Sequence, residues 1–323
     1  MTRKRLPHGI GFALLSAFLL LLLAVTLVNL YTHNTVFFVV FIFLTAGCLV
    51  ATVDVFITDV LKGKAFTIGK EDGLNFIAVF FGGLITYALH VHTPLCNVLA
   101  AGVVGILLAL FFPKHAVPGY CGAFVGMSAS ALFGPWFFML AALLAAGVFV
   151  IAKGVYNGYG GKLGTIAFSG ALITWAAMRS PFETRDIPFS GWEMVLIVIV
   201  SALAATLTYV ISIRLKQGPV MASGLIGLIV GAMFTMMPFE GAPTLSVVAI
   251  GASFVGMSGF ARFKNEIPML AAGAVFGLVF VYSDTHFAGA GGKLGTIAFL
   301  SVLAIGGIRK WRSQVQSGKV CRN

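Results

Sequence analysis

Long apolar runs follow one another along this chain, and short connections rich in glycine, proline or charged residues separate them. A helix of about 20 apolar residues crosses a hydrocarbon layer of roughly 30 Å, so each run predicts a membrane span. The fifth and seventh runs are short, which is also typical of half-membrane or re-entrant segments. The predicted spans are 10–30, 36–60, 74–93, 97–112, 118–133, 136–153, 163–179, 191–213, 219–237, 244–260, 268–284 and 292–308.

Composition places the chain in the same class. It is 59% hydrophobic and only 10% charged, and its mean hydropathy of +1.02 lies far above that of soluble proteins. The apolar run after Met1–Arg5 is too long for the core of a secretory signal and lacks a small-x-small exit. We therefore expect an uncleaved first span in a protein whose main partner is the lipid bilayer.

The distribution of basic residues predicts the orientation. With the N-terminus in the cytoplasm, all but three of the 21 Lys and Arg residues fall on the cytoplasmic side; the three are Arg179, Arg185 and Lys293. Cytoplasmic connections of membrane proteins are enriched in Lys and Arg. The predicted location is the inner membrane, multi-pass, with both termini cytoplasmic. This bias also accounts for the net charge of +11, so no nucleic-acid partner is needed.

Two motifs occur twice and reveal an internal duplication. Gly-Gly-Lys-Leu-Gly-Thr-Ile-Ala-Phe stands at 160–168 and 291–299, and Phe-Val-Gly-Met-Ser stands at 124–128 and 254–258. The offsets are 131 and 130 residues. Duplication in a membrane protein commonly builds a transport path. The chain divides into two N-terminal helices and a loop, repeat A, repeat B and a basic cytoplasmic tail, at 1–72, 73–180, 190–308 and 309–323.

The odd number of spans in each repeat predicts that the copies lie in opposite orientations. Because five is an odd number, repeat A begins on one side of the membrane and ends on the other. Repeat B therefore begins on the opposite side from repeat A and has the inverted orientation. The predicted fold is an all-α polytopic membrane protein with about 12 transmembrane helices, an inverted 5+5 repeat preceded by two extra helices. This plan is similar to that of several inverted-repeat transporters and to the urea-channel plan, a likeness of architecture alone.

The glycine-rich turn before each nonapeptide helix is the main candidate for a substrate site. Such a turn presents unpaired N–H groups and the positive end of a helix dipole, which suits a carboxylate or a small oxyanion. The alternative is that the glycines serve helix packing and the lysines reach for the membrane interface. The candidate substrate-binding residues here are Gly160, Gly161, Lys162 and Thr165, with Gly291, Gly292, Lys293 and Thr296 in the second copy.

The serine that ends each Phe-Val-Gly-Met-Ser motif is the second candidate. Ser128 and Ser258 lie in apolar spans beside small residues. Their hydroxyl groups are suited to lining a polar path or to bonding back to their own helix, and the small residues suit close helix packing. We expect both serines to line the substrate path.

Other chemistry is not indicated. The chain has no nucleophile–base–acid set, phosphate loop or dinucleotide motif, so neither an enzyme nor a cofactor is expected. The cysteines and histidines have no metal-ligand spacing, so no metal site is predicted. Spans 3 to 12 have no Asp, Glu, Lys or Arg at mid-depth, which weakens proton coupling and leaves sodium coupling or none.

These patterns predict an inner-membrane transporter for a small solute or ion, with an anion as one candidate and a central site between the repeats. A channel for a small neutral solute is the alternative, and a non-transporting assembly subunit is a third reading. Association of several copies stays open.

Overall fold

The computed structural model describes residues 5–178, 189–238 and 241–320. Some of the predictions above concern residues outside these ranges. They include the end of repeat A and the basic residues Arg3, Lys4, Arg179, Arg185 and Arg322.

Helices dominate the described residues, which contain no strand. The apolar runs form them because helical backbone hydrogen bonds satisfy the polar main chain within each segment. α2 and α8 each end in a π-helical segment, at Phe56–Leu61 and Val210–Arg214. The α-helices are α1 (Leu6–His33), α2 (Thr35–Val55), α3 (Lys70–His92), α4 (Asn97–Phe111), α5 (Ala116–Gly126), α6 (Pro135–Ile151), α7 (Lys162–Met178), α8 (Gly191–Tyr209), α9 (Pro219–Thr235), α10 (Ala242–Gly256), α11 (Ile267–Ser283) and α12 (Lys293–Val320).

Five of the described helical segments are long and apolar enough to cross a membrane, namely Leu6–Thr32, Thr35–Leu61, Lys70–His92, Gly191–Arg214 and Lys293–Ser317. The other described helices are apolar but shorter. Large apolar side chains also cover the outside of the bundle; Trp136 is 81% exposed. The all-α class is confirmed, and the apolar helices indicate a membrane-embedded protein. The count of twelve spans stays a prediction.

Several helices have other ends than the hydropathy pattern predicts, and α5 and α12 differ most. α5 stops at Gly126 rather than near residue 133, because Ser128 donates its hydroxyl to Val125 O and the chain turns there. Its 11 residues give a length of about 16 Å, half of a hydrocarbon layer. α12 continues past residue 308 to Val320, since neither glycine nor proline interrupts 309–317. The predicted tail is therefore largely an extension of this helix.

Glycine contacts bring the two nonapeptide helices together. A Cβ added to Gly164 in α7 would lie 2.3 Å from the Cα of Gly295 in α12, and one added to Gly295 would lie 2.4 Å from the Cα of Gly164. No side chain fits in either place. The first turns of α7 and α12 are therefore in backbone contact near the centre of the bundle, and both glycine-rich turns lie beside this contact.

Candidate functional site

Each repeated serine holds the glycine-rich turn of the other copy. Ser128, just beyond α5, accepts a hydrogen bond from the N–H of Gly291 at 3.1 Å. Ser258, just beyond α10, accepts one from the N–H of Gly160, also at 3.1 Å. Each serine donates its own hydroxyl hydrogen to a carbonyl three residues earlier, at 2.7 Å. We call these two reciprocal contacts the serine clamps.

Backbone bonds next to the serine clamps repeat the same exchange. The N–H of Ala129 donates to Gly289 O at 2.9 Å, and the N–H of Gly259 donates to Gly158 O at 3.0 Å. The two turns share their backbone conformation as well, because φ is +83° at Gly161 and +85° at its counterpart. A positive φ favours glycine, which explains why this residue recurs in both copies. Both turns are thus built alike and anchored alike.

The two motif lysines have different partners. Lys162 donates to the amide oxygen of Asn157 at 3.0 Å. Lys293 is 6% exposed and lies 3.5 Å from an oxygen of the Asp284 carboxylate, while donating to the Asp284 main-chain oxygen at 2.9 Å. Identical motifs therefore present a lysine that is hydrogen-bonded to an uncharged amide in one copy and an ion-paired lysine in the other.

The threonines of the motif serve their own turns. Thr165 lies 3.4 Å from Gly161 O and Thr296 lies 3.3 Å from Gly292 O, and each donates to that carbonyl. Both side chains are fully buried. Their hydroxyl groups are thus engaged in the first helical turn.

A cavity lies beside each motif lysine. The Lys162 cavity has a volume of about 380 Å³ and also contains Asn157 and Lys153 in its lining. The Lys293 cavity has a volume of about 360 Å³ and contains Asp284 in the position that corresponds to Lys153 at an offset of 131. The two cavities are therefore formed by matching parts of the duplicated chain.

Phe124 and Phe254 line both cavities. Their ring centroids are 4.1 Å apart with planes inclined by 38°, and each residue is 1% exposed. The ring of Tyr120 lies 4.5 Å from that of Phe124, nearly edge-on at 60°. The Phe124–Phe254 pair thus forms a wall shared by the two cavities.

The cavities differ in charge. Lys114, Lys153 and Lys162 line the Lys162 cavity, and Lys153 is 2.7 Å from the Asp72 carboxylate. In the Lys293 cavity the charge of the lysine is balanced by Asp284. His286 lies in the turn before Lys293; burial lowers its pKa, and the nearby lysine charge lowers it further, so this imidazole is neutral at pH 7. The Lys162 cavity is the more basic of the two.

The predicted site residues are thus placed in two clusters. Gly160, Gly161 and Lys162 line one cavity, and Gly291, Gly292 and Lys293 line the other. Ser128 and Ser258 act in the clamps, and their role as lining residues stays a prediction. Sequence reasoning missed the Phe124–Phe254 pair, although both rings stand inside the repeated Phe-Val-Gly-Met-Ser motif.

Comparison with known proteins gives no family by which to interpret these cavities. No family model, curated protein or solved structure matches the chain.

Proposed function

We propose that this protein is an inner-membrane transporter for a small solute, and that its path runs from one cavity to the other through the Phe124–Phe254 pair. The observation that carries the proposal is the pairing of the cavities: matching parts of the two copies form them, and the same two rings line both. A path built from duplicated halves around a central site is the plan of many carriers.

The proposal includes twelve membrane spans in an inverted 5+5 arrangement behind two N-terminal helices. Its support is the exchange of contacts between copies: the serine of each copy binds the turn of the other at the same distance. A two-fold axis generates such reciprocal pairs. The basic residues favour cytoplasmic termini, with the Lys162 cavity open to the cytoplasm and the Lys293 cavity open to the other side.

An anion is the favoured substrate class. The Lys162 cavity combines three lysines with a glycine-rich helix start, and compact ammonium groups and main-chain N–H groups both bind carboxylates and small oxyanions. The substrate would reach Lys162 from one side and Lys293 from the other. The alternative is a channel for a small neutral solute, which the apolar wall between the cavities favours.

Solute uptake by proteoliposomes tests the proposal. Panels of small anions and neutral solutes would be compared with and without a sodium or pH gradient. For a transported anion we expect Lys162→Gln to lower the affinity about ten- to hundredfold, because one charge-assisted contact contributes about 1.5–3 kcal/mol. The exposed Lys264, which lines neither of these cavities, provides the control variant Lys264→Gln.

Lys293 needs its own control, since Gln at this position leaves the Asp284 carboxylate without its partner. The pair of changes Lys293→Gln and Asp284→Asn removes both charges together, and thermal unfolding reports whether the fold is retained. Wild-type uptake by a folded Lys162→Gln, Lys293→Gln variant would reject the anion site and favour the neutral-solute channel.

A further inference from the structure

The Phe124–Phe254 pair is part of the lining of both cavities. We propose that this pair is the constriction that closes the path and selects which solutes cross it. The inference rests on the proposed transport function and assigns the selecting step to two residues. Both rings line both cavities, and their centroids are only 4.1 Å apart, so the rings are in contact where the two cavities share a wall.

The chemistry of the rings suits a barrier. A polar solute between two phenyl rings gives up hydrogen bonds to water and receives none in return, which is unfavourable. Apolar constrictions in membrane pathways exclude water and ions for this reason. Each ring is almost fully buried, so the pair is packed shut in this conformation. A solute crosses only when the rings separate, and the distance between them then limits the size of the solute that passes.

One side of the constriction has additional support. The hydroxyl groups of Tyr120 and Ser223 are 3.0 Å apart, and those of Ser223 and Ser253 are 2.7 Å apart. This buried chain links α5, α9 and α10, from the ring packed against Phe124 to the residue that precedes Phe254. At an offset of 130 the counterpart of Tyr120 is Ile250, which lacks a hydroxyl. Tyr120 is therefore a positioning residue for the constriction.

Permeability of proteoliposomes to neutral probes tests the constriction without knowledge of the natural substrate. Stopped-flow light scattering would measure the entry of urea, glycerol and sucrose into vesicles with wild-type protein or the Phe124→Ala, Phe254→Ala double variant. We expect urea and glycerol entry to rise about tenfold or more, because an attractive aromatic contact across the path is removed. Sucrose should remain excluded; an equal rise for sucrose would count against a selective path.

Phe138 offers a matched control. Its ring stacks on Tyr87 with centroids 4.0 Å apart, and it is also 1% exposed, yet it contributes to neither cavity lining. Phe138→Ala should leave permeability at the wild-type value. Phe124→Leu and Phe254→Leu retain an apolar side chain of similar volume and should show smaller increases, so they serve if the double alanine variant does not fold.

The outcomes separate the constriction from the transport proposal. Suppose that the wild type shows saturable uptake and the folded double variant is no more permeable than the wild type. This result would overturn the constriction and would still agree with the transport proposal. Increased entry through the double variant without saturable uptake by wild type would support the constriction and reject the carrier. A leak of the same size in Phe138→Ala would overturn the assignment to this pair.

Discussion

At the scale of single residues, the serine clamps show how a small side chain determines the placement of a turn. Each serine hydroxyl accepts a hydrogen bond from one main-chain N–H of the other copy. It donates its own hydrogen to a carbonyl near the end of its own helix. A buried N–H without a partner costs more than the net worth of the bond it lost. The clamps therefore help to position the turns that carry both motif lysines.

Loss of one clamp should destabilise the protein. We expect Ser128→Ala to lower the free energy of unfolding by about 1–3 kcal/mol, because the Gly291 N–H is left buried and unsatisfied. Thermal unfolding in detergent measures the effect. Ser169→Ala is the matched control, since this buried serine donates to Ile166 O in its own helix and, within the described residues, to no group of the other copy. Equal stability of the two variants would show that the clamp contributes nothing.

The hydroxyl of Tyr120 can be tested separately from its ring. Tyr120→Phe keeps the packing against Phe124 and removes the bond to Ser223. We expect a stability loss of about 1 kcal/mol, a typical net value for one hydrogen bond. If the hydroxyl positions the constriction, glycerol entry should also increase modestly. An unchanged entry rate with reduced stability would restrict Tyr120 to a structural role.

At the scale of helices, glycine contacts decide which elements meet at the centre. Gly164→Ala should be severely destabilising or prevent folding, because its Cβ would lie 2.3 Å from a backbone atom of α12. Gly147 in α6 is the control, since an added Cβ there meets no atom of the described part of the chain within 4 Å. Gly147→Ala should be neutral or stabilise by about 0.5–1 kcal/mol through helix propensity. The two variants are compared by yield and melting temperature after purification. A well-folded Gly164→Ala protein would contradict the backbone contact between α7 and α12.

Hydropathy predicted where the helices lie and most of their ends to within a few residues, but it did not predict the ends of α5 and α12. The apolar runs define where the helices lie, but nothing in hydropathy marks Gly126 as the end of α5, because that end depends on the hydroxyl of Ser128. The repeated motifs correctly identified both glycine-rich turns as matching parts of the chain. The different partners of the two lysines could not be predicted. Asp284 and Asn157 do not occupy matching positions of the two copies, and their contacts with the lysines form only in the folded turns.

At the scale of the whole molecule, the proposed orientation places the two cavities on opposite sides of the membrane. Asn157 and Ala288 occupy matching positions and line different cavities. In a variant without the four native cysteines, Asn157→Cys should react with a membrane-impermeant thiol reagent from the cytoplasmic side, and Ala288→Cys from the other. Labelling of right-side-out and inverted vesicles makes the comparison. Reaction of both positions from one side would reject the inverted arrangement.

The serine clamps are reciprocal within a single chain: the serine of each copy binds the glycine-rich turn of the other. Each copy carries both the serine that accepts and the glycine that donates, yet neither serves its own partner. In one copy without the other, the glycine N–H of the turn would lack its acceptor and the serine oxygen would lack its donor. Both clamps are therefore complete only where the two copies meet.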